Sequence, residues 1–94
     1  MSAPVTVYRT RFCPYCTLAT RILQRRGIPF TEISLDSKPD ARFKLQERTQ
    51  WFTVPQIFIG DHFVGGYTDL AALDANGKLT GLLAAAGWPA ASPG

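Results

Sequence analysis

Val5-Thr6-Val7-Tyr8 alternates β-branched and aromatic residues with a period of two, the pattern of a strand. After a short loop, Arg9 to Phe12, the period changes. Leu18, Ala19, Ile22 and Leu23 recur at spacings of three and four, which predicts an amphipathic helix starting near Cys13. Arg25-Arg26-Gly27 ends it, with cations in the last turn and a glycine stop. Pro29 to Leu35 is apolar enough for a second strand. Ser37-Lys38-Pro39-Asp40 reads as a helix start with a serine cap and an early proline, the helix running through Ala41 and Leu45 to about Arg48. Gln56-Ile57-Phe58-Ile59 and His62-Phe63-Val64 flank Gly60-Asp61, a two-residue hairpin signal. Thr68-Asp69 is expected to cap a third helix carrying Leu70 and Leu73 and stopped at Asn76-Gly77. Leu79, Leu82, Leu83 and Ala86 suggest one more short helix.

The order β-α-β-α-β-β-α is that of an α/β chain. Its strand–helix–strand opening closes as a right-handed parallel crossover, and the hairpin adds antiparallel strands. The expected result is a four-stranded mixed β-sheet flanked by helices. Ninety-four residues suffice for one small core, so a single domain is expected over 1–86, with 87–94 as a frayed tail.

Composition narrows the class. A chain that is 46% hydrophobic and 18% charged is too apolar and too weakly charged for disorder. No apolar run approaches the roughly 18–20 residues that cross a bilayer, and the first residues show no basic region followed by an apolar stretch, so a cytoplasmic protein is expected. The net charge of +3 is unevenly spread: residues 1–26 carry five arginines and no acid, while 27–94 carry five basic and seven acidic groups. A basic end could attract nucleic acid, but no basic–aromatic motif accompanies it, and no nucleic-acid or membrane partner is expected.

The basic end also holds the two cysteines, Cys13 and Cys16. A bridge between them would close a tiny loop and stabilise the fold little. In a reducing compartment such a pair is catalytic or metal-binding. Zinc needs four ligands, and the chain offers two cysteines and one histidine, His62, so no metal is expected. Catalysis suits the placement better. Cys13 stands where the first strand hands over to the first helix, beside unpaired N–H groups and the positive end of the dipole, which favour a thiolate. Arg11 acts in the same direction. Pro14 fits the first helical position. Cys16, one turn in, is expected to be more buried, with a more ordinary pKa than Cys13. An exposed thiolate that attacks a disulfide, and a second thiol that resolves the mixed disulfide, make an exchange mechanism.

Two further segments matter only beside the first. Thr53-Val54-Pro55 precedes the third strand, and Gly65-Gly66 leads into Thr68-Asp69 at a helix N-terminus, a place suited to an anion. Cys-Pro-Tyr-Cys at 13–16, Thr-Val-Pro-Gln-Ile-Phe-Ile at 53–59 and Val-Gly-Gly-Tyr-Thr-Asp-Leu at 64–70 together resemble a dithiol glutaredoxin, of the bacterial glutaredoxin 3 type. The resemblance covers roughly residues 4–84.

The resemblance implies a thioredoxin-like fold and glutathione as reducing co-substrate, with no tightly bound cofactor. It makes Cys13 the nucleophile and Cys16 the resolving thiol, acting on glutathionylated and disulfide-containing proteins, with glutathione reductase as an indirect partner and the protein a monomer. Tyr15 would flank the groove. Pro55 would be cis, and Thr53 and Val54 would offer backbone to the cysteinyl part of glutathione as a strand does. Gly66, Thr68 and Asp69 would hold the γ-glutamyl end. The chain departs from the family pattern twice. Thr10 stands where a Lys or Arg is common, which leaves Arg11, with Arg9 as the alternative, for the glycyl carboxylate. Trp51 and Phe52 stand where small or polar residues are usual, either as core or as an apolar lip for protein substrates. A cluster-carrying dimer is a different reading of such a site; Pro14 argues against it.

Overall fold

The N-terminal alternation forms strand β1 (Val5–Arg9) in the computed structural model, which describes residues 4–87. Val5 and Val7 are fully buried on one face of β1, and Tyr8 faces the other. The chain continues as α1 (Pro14–Arg25), β2 (Phe30–Ser34), α2 (Pro39–Thr49), β3 (Gln56–Ile59), β4 (His62–Gly65), α3 (Tyr67–Asn76) and α4 (Leu79–Ala85). The sheet order is β2-β1-β3-β4, with β1 parallel to β2 and antiparallel to β3, and β3 antiparallel to β4. This is the mixed sheet the element order implies.

Period-two alternation gives the sheet two apolar faces. Val5, Val7, Ile57 and Ile59 meet Ala19, Ile22 and Leu23 of α1, Leu70 of α3 and Leu79 and Leu83 of α4. On the other face Phe58 packs with Leu45 of α2 and Leu35, beside Tyr8, Val54 and Phe63. Each large aliphatic chain buried there is worth about 1.5–3 kcal/mol. An ion pair joins α1 to α3 on the larger face: Arg26, the C-cap of α1, donates to both carboxylate oxygens of Asp74, at 2.8 and 3.3 Å.

Two helix starts differ from expectation. Ser37 does not cap α2; it sits at φ 58, and Lys38 is the N-cap without a side-chain bond. Nor does Thr68 cap α3. The helix begins at Tyr67, with Gly66, two residues before Thr68, as N-cap. Glycine has no side chain to offer, so Asp69 reaches back, and its carboxylate accepts the Gly66 N–H at 3.0 Å. The stop at Gly77 stands as expected, in the left-handed region. The tail expected over 87–94 lies, past Gly87, outside the described residues.

Candidate functional site

Cys13 is the N-cap of α1. Its backbone is extended (φ −130, ψ 101), and its sulfur accepts the Cys16 N–H at 3.2 Å, the place a serine or aspartate oxygen takes in an ordinary cap. Pro14 opens the helix, where its missing N–H leaves nothing unpaired. The loop before it is tied down by the residues that follow the neighbouring strand β2. Leu35 N–H donates to Arg9 O at 2.8 Å, and Arg11 N–H donates to Asp36 Oδ2 at 2.9 Å. Ser34 Oγ donates to the same Asp36 oxygen at 3.0 Å.

The two cysteines are free, and their environments diverge. Cys13 is partly exposed, and Cys16 is fully buried. Burial is the main reason the Cys16 thiol is pushed from 9.0 up to about 12. Its hydrogen bond and charge interaction with Cys13 add to the shift, while the Thr10 backbone and the Arg9 cation oppose it. The ordinary pKa expected for Cys16 is thus corrected: a buried thiol loses too much hydration to ionise near neutrality.

The Val-Pro loop comes to the sulfur from the far half of the chain. The Val54–Pro55 peptide bond is cis, and the Cys13 thiol donates to Val54 O at 3.6 Å. Gln56, next along, is buried and fastens this loop to α2: its Oε1 accepts from Thr49 Oγ1 at 2.8 Å, and its Nε2 donates to Trp51 O at 2.7 Å. Sequence reading did not single out Gln56. An amide directly after Val54-Pro55, at the head of an otherwise apolar strand, was the available signal.

Beside the loop stands the start of α3. Pro55 O lies within 3.7 Å of where a methyl group on Gly66 would fall, so the two segments are in contact distance. Thr68 and Asp69 lie in the first turn of α3, where free N–H groups suit a carboxylate. Tyr15 is exposed and packs against Tyr67 with ring centroids 6.0 Å apart. The structure therefore brings Cys13, Tyr15, Val54, Pro55 and Gly66 around one surface, at the carboxyl end of β1. Of the two candidate cations, Arg9 is engaged, donating to Glu32 at 2.8 Å and to Thr10 O at 3.2 Å. The Arg11 guanidinium lies over the Phe12 ring, 5.9 Å from its centroid. Trp51 and Phe52 divide between the two readings. Trp51 packs edge-on against Phe63 at 5.7 Å, its Nε1 buried without a partner, whereas Phe52 is 67% exposed. Among the described residues no cluster of His, Cys, Asp or Glu could hold a metal ion, and no helix is long and apolar enough to cross a membrane.

A capping sulfur with a donor at its back, and a buried partner thiol that keeps its proton, are built for disulfide exchange. The protein is a thiol–disulfide oxidoreductase with a thioredoxin-like fold. The glutaredoxin family model matches residues 5–64. The chain is 50% identical over 82 residues to the glutaredoxin of Pseudomonas aeruginosa, covering 87% of this chain and 98% of that protein. It is 42% identical over 81 residues to glutaredoxin 3 of Escherichia coli K12, covering 86% and 98%. Among solved structures, a buckwheat glutaredoxin–glutathione complex matches with a TM-score of 0.82 at 28% identity, covering 90% of this chain and 80% of that one. The chain belongs to the glutaredoxin family, whose members carry out glutathione-dependent thiol–disulfide exchange, and it is similar to the bacterial glutaredoxin 3 type.

Proposed function

We propose that Cys13 attacks protein–glutathione mixed disulfides on the glutathionyl sulfur and that Cys16 resolves protein disulfides. In the first route the Cys13 thiolate displaces the protein thiolate, which takes a proton from water, and Cys13 carries the glutathionyl group. A second glutathione thiolate then attacks that group, freeing Cys13 and leaving as glutathione disulfide. In the second route Cys13 forms a mixed disulfide with one sulfur of a protein disulfide. Cys16 gives up its proton and attacks Cys13, releasing the reduced protein and closing a Cys13–Cys16 disulfide, which glutathione reopens.

The observation that carries this reading is the contrast between the two thiols: one at a helix cap within 3.2 Å of a backbone donor, the other buried and held protonated. Glutathione fits the surface beside it. Its cysteinyl backbone pairs with Val54 as a strand would, next to Thr53 and Pro55. Its γ-glutamyl carboxylate takes the free N–H of Thr68 in the first turn of α3, beside Gly66, and its ammonium pairs with Asp69. Tyr15 walls the groove, and Arg11 supplies the cation for the glycyl carboxylate. The matched buckwheat protein was solved as a glutathione complex, which supports the same ligand here. The remaining parts of the reading are a single domain over 1–86, a monomer with no tightly bound cofactor, and a place in the cytoplasm, where glutathione reductase keeps the co-substrate reduced.

Turnover of a small glutathione mixed disulfide, coupled to glutathione reductase, tests the proposal, with thioredoxin reductase run in parallel. Activity that depends on glutathione is the expected result. A protein that turns over only with thioredoxin reductase overturns it.

A further inference from the structure

Arg9 and Arg26 have carboxylate partners, but Arg21 and Arg25 have none among the described residues, and α1 carries no acidic residue to neutralise them. Both arginines border a groove of about 280 Å³ between α1 and α3, lined by Leu18, Arg21, Ile22, Gln24, Arg25 and Tyr67. Tyr67 packs against Tyr15, two residues beyond Cys13, so the groove runs on from the catalytic turn. Its floor is apolar where Leu18, an exposed leucine, and Ile22 lie, and its edge is cationic. Long arginine stems can cover such a floor while their heads stay in water.

We propose that this groove is the docking track for protein substrates and that it takes an acidic, partly apolar segment flanking the substrate cysteine. The inference rests on Cys13 being the attacking thiol. Charge complementarity selects the occupant: two unpaired cations on a helix without acids favour a carboxylate-bearing chain and repel a basic one. Geometry sets the spacing. Arg21 and Arg25 lie roughly 12 and 18 Å beyond Cys13 along the helix, at about 1.5 Å per residue. An extended chain covers about 3.3 Å per residue. The acids of a matching substrate therefore stand about four to six residues from its cysteine. Glutathione, too short to reach, gains nothing from this track, so the groove distinguishes protein substrates from one another without changing the basal exchange.

The test uses peptides glutathionylated on a single cysteine, with glutamates four and six residues away on both flanks, or lysines at the same places. Exchange balances as before: the peptide leaves as its thiol, Cys13 takes the glutathionyl group, and a second glutathione removes it. At low salt the glutamate peptide should show a KM about three- to tenfold below that of the lysine peptide, as two exposed pairs allow. The gap should close at about 0.5 M salt, where screening reaches only a few ångströms. In the R21E/R25E double variant the order should reverse, and in R21Q/R25Q the preference should vanish, with turnover of a small glutathione mixed disulfide unchanged in both. Equal KM values for the two peptides, or a preference that survives both variants, would overturn the docking track. Failure of the unaltered protein to turn over the small disulfide would strike instead at the role of Cys13.

Discussion

The sulfur of Cys13 stands 3.6 Å from the carbonyl oxygen of Val54, 41 residues further along the chain. One backbone donor, the Cys16 amide, and one backbone acceptor thus meet at the same sulfur. The acceptor holds a thiol proton, and the donor holds an anion. A ligand strand laid along Val54 stands beside the sulfur that must react with it.

Separate roles for the two thiols follow from that geometry. Cys16→Ser should retain deglutathionylation, because a second glutathione can clear Cys13, and should lose most reduction of intramolecular protein disulfides. Cys13→Ser should lose both. Assays of the two substrates on both variants check this; a folded Cys16→Ser protein without deglutathionylation would show the roles to be misassigned.

The raised Cys16 thiol has a signature in stability. Between pH about 9 and about 12 the unfolded chain gives up this proton while the folded chain keeps it. The contribution is therefore full below pH 9 and is lost as pH rises toward 12. Denaturant unfolding of the reduced protein should show stability falling more steeply across this window than in Cys16→Ala, by up to one proton in slope. Parallel curves would mean that Cys16 is not shielded.

Asp69 serves two partners in this account, and two substitutions separate them. Asp69→Ala removes the acceptor of the Gly66 N–H and should cost about 1 kcal/mol of stability. Asp69→Asn keeps an acceptor and should cost less. Both lose the charge proposed to pair with the ammonium of glutathione, so both should raise the glutathione requirement roughly tenfold or more. A rate whose dependence on glutathione is unchanged in either variant would count against the assignment.

Arg11 and Arg9 should not be equivalent. Arg9 is engaged by Glu32, whereas Arg11 points its guanidinium over Phe12. Arg11→Ala should raise the KM for glutathione by a few-fold, as an exposed pair permits, with the effect shrinking in salt. Arg9→Ala should act less on KM. The reverse ranking in a glutathione titration would move the carboxylate site to Arg9.

Gly65 is a position where only glycine fits. Its φ is +119, and a side chain there would collide with the Asp69 carboxylate. Gly65→Ala should destabilise the protein by about 1–3 kcal/mol and weaken glutathione use as Asp69 is displaced. A thermal melt matching the parent would refute this.

Much of this was legible in the chain because periodicity is a local signal. The alternation in Val5-Thr6-Val7-Tyr8 marks a strand and the 3–4 spacing of Leu18, Ala19, Ile22 and Leu23 marks an amphipathic helix, and the fold packs Val5 and Val7 against Ala19, Ile22 and Leu23. Caps were less legible. Ser37 and Thr68 are good capping residues by type, but the caps fall one residue after Ser37 and two before Thr68, and nothing in residue type fixes those offsets. The contrast between Trp51 and Phe52 was hidden for a similar reason: a loop has no period, so neighbouring aromatics give no sign of which one the fold turns inward. The strength of the Cys16 shift depends on the complete burial of that side chain, which is a property of packing.

Cys13 and its helix belong to the first third of the chain, and Val54 to the hairpin half, which joins through the pairing of β1 with β3. During synthesis both cysteines therefore emerge before the loop that faces them exists. Until β3 docks, the Cys13 sulfur can have its Cys16 N–H donor but not the Val54 carbonyl that faces it. The reactivity of Cys13 is for this reason a clock of assembly: a thiol probe added during refolding would see it change once more when the last central strand finds its place and brings Val54 to the sulfur.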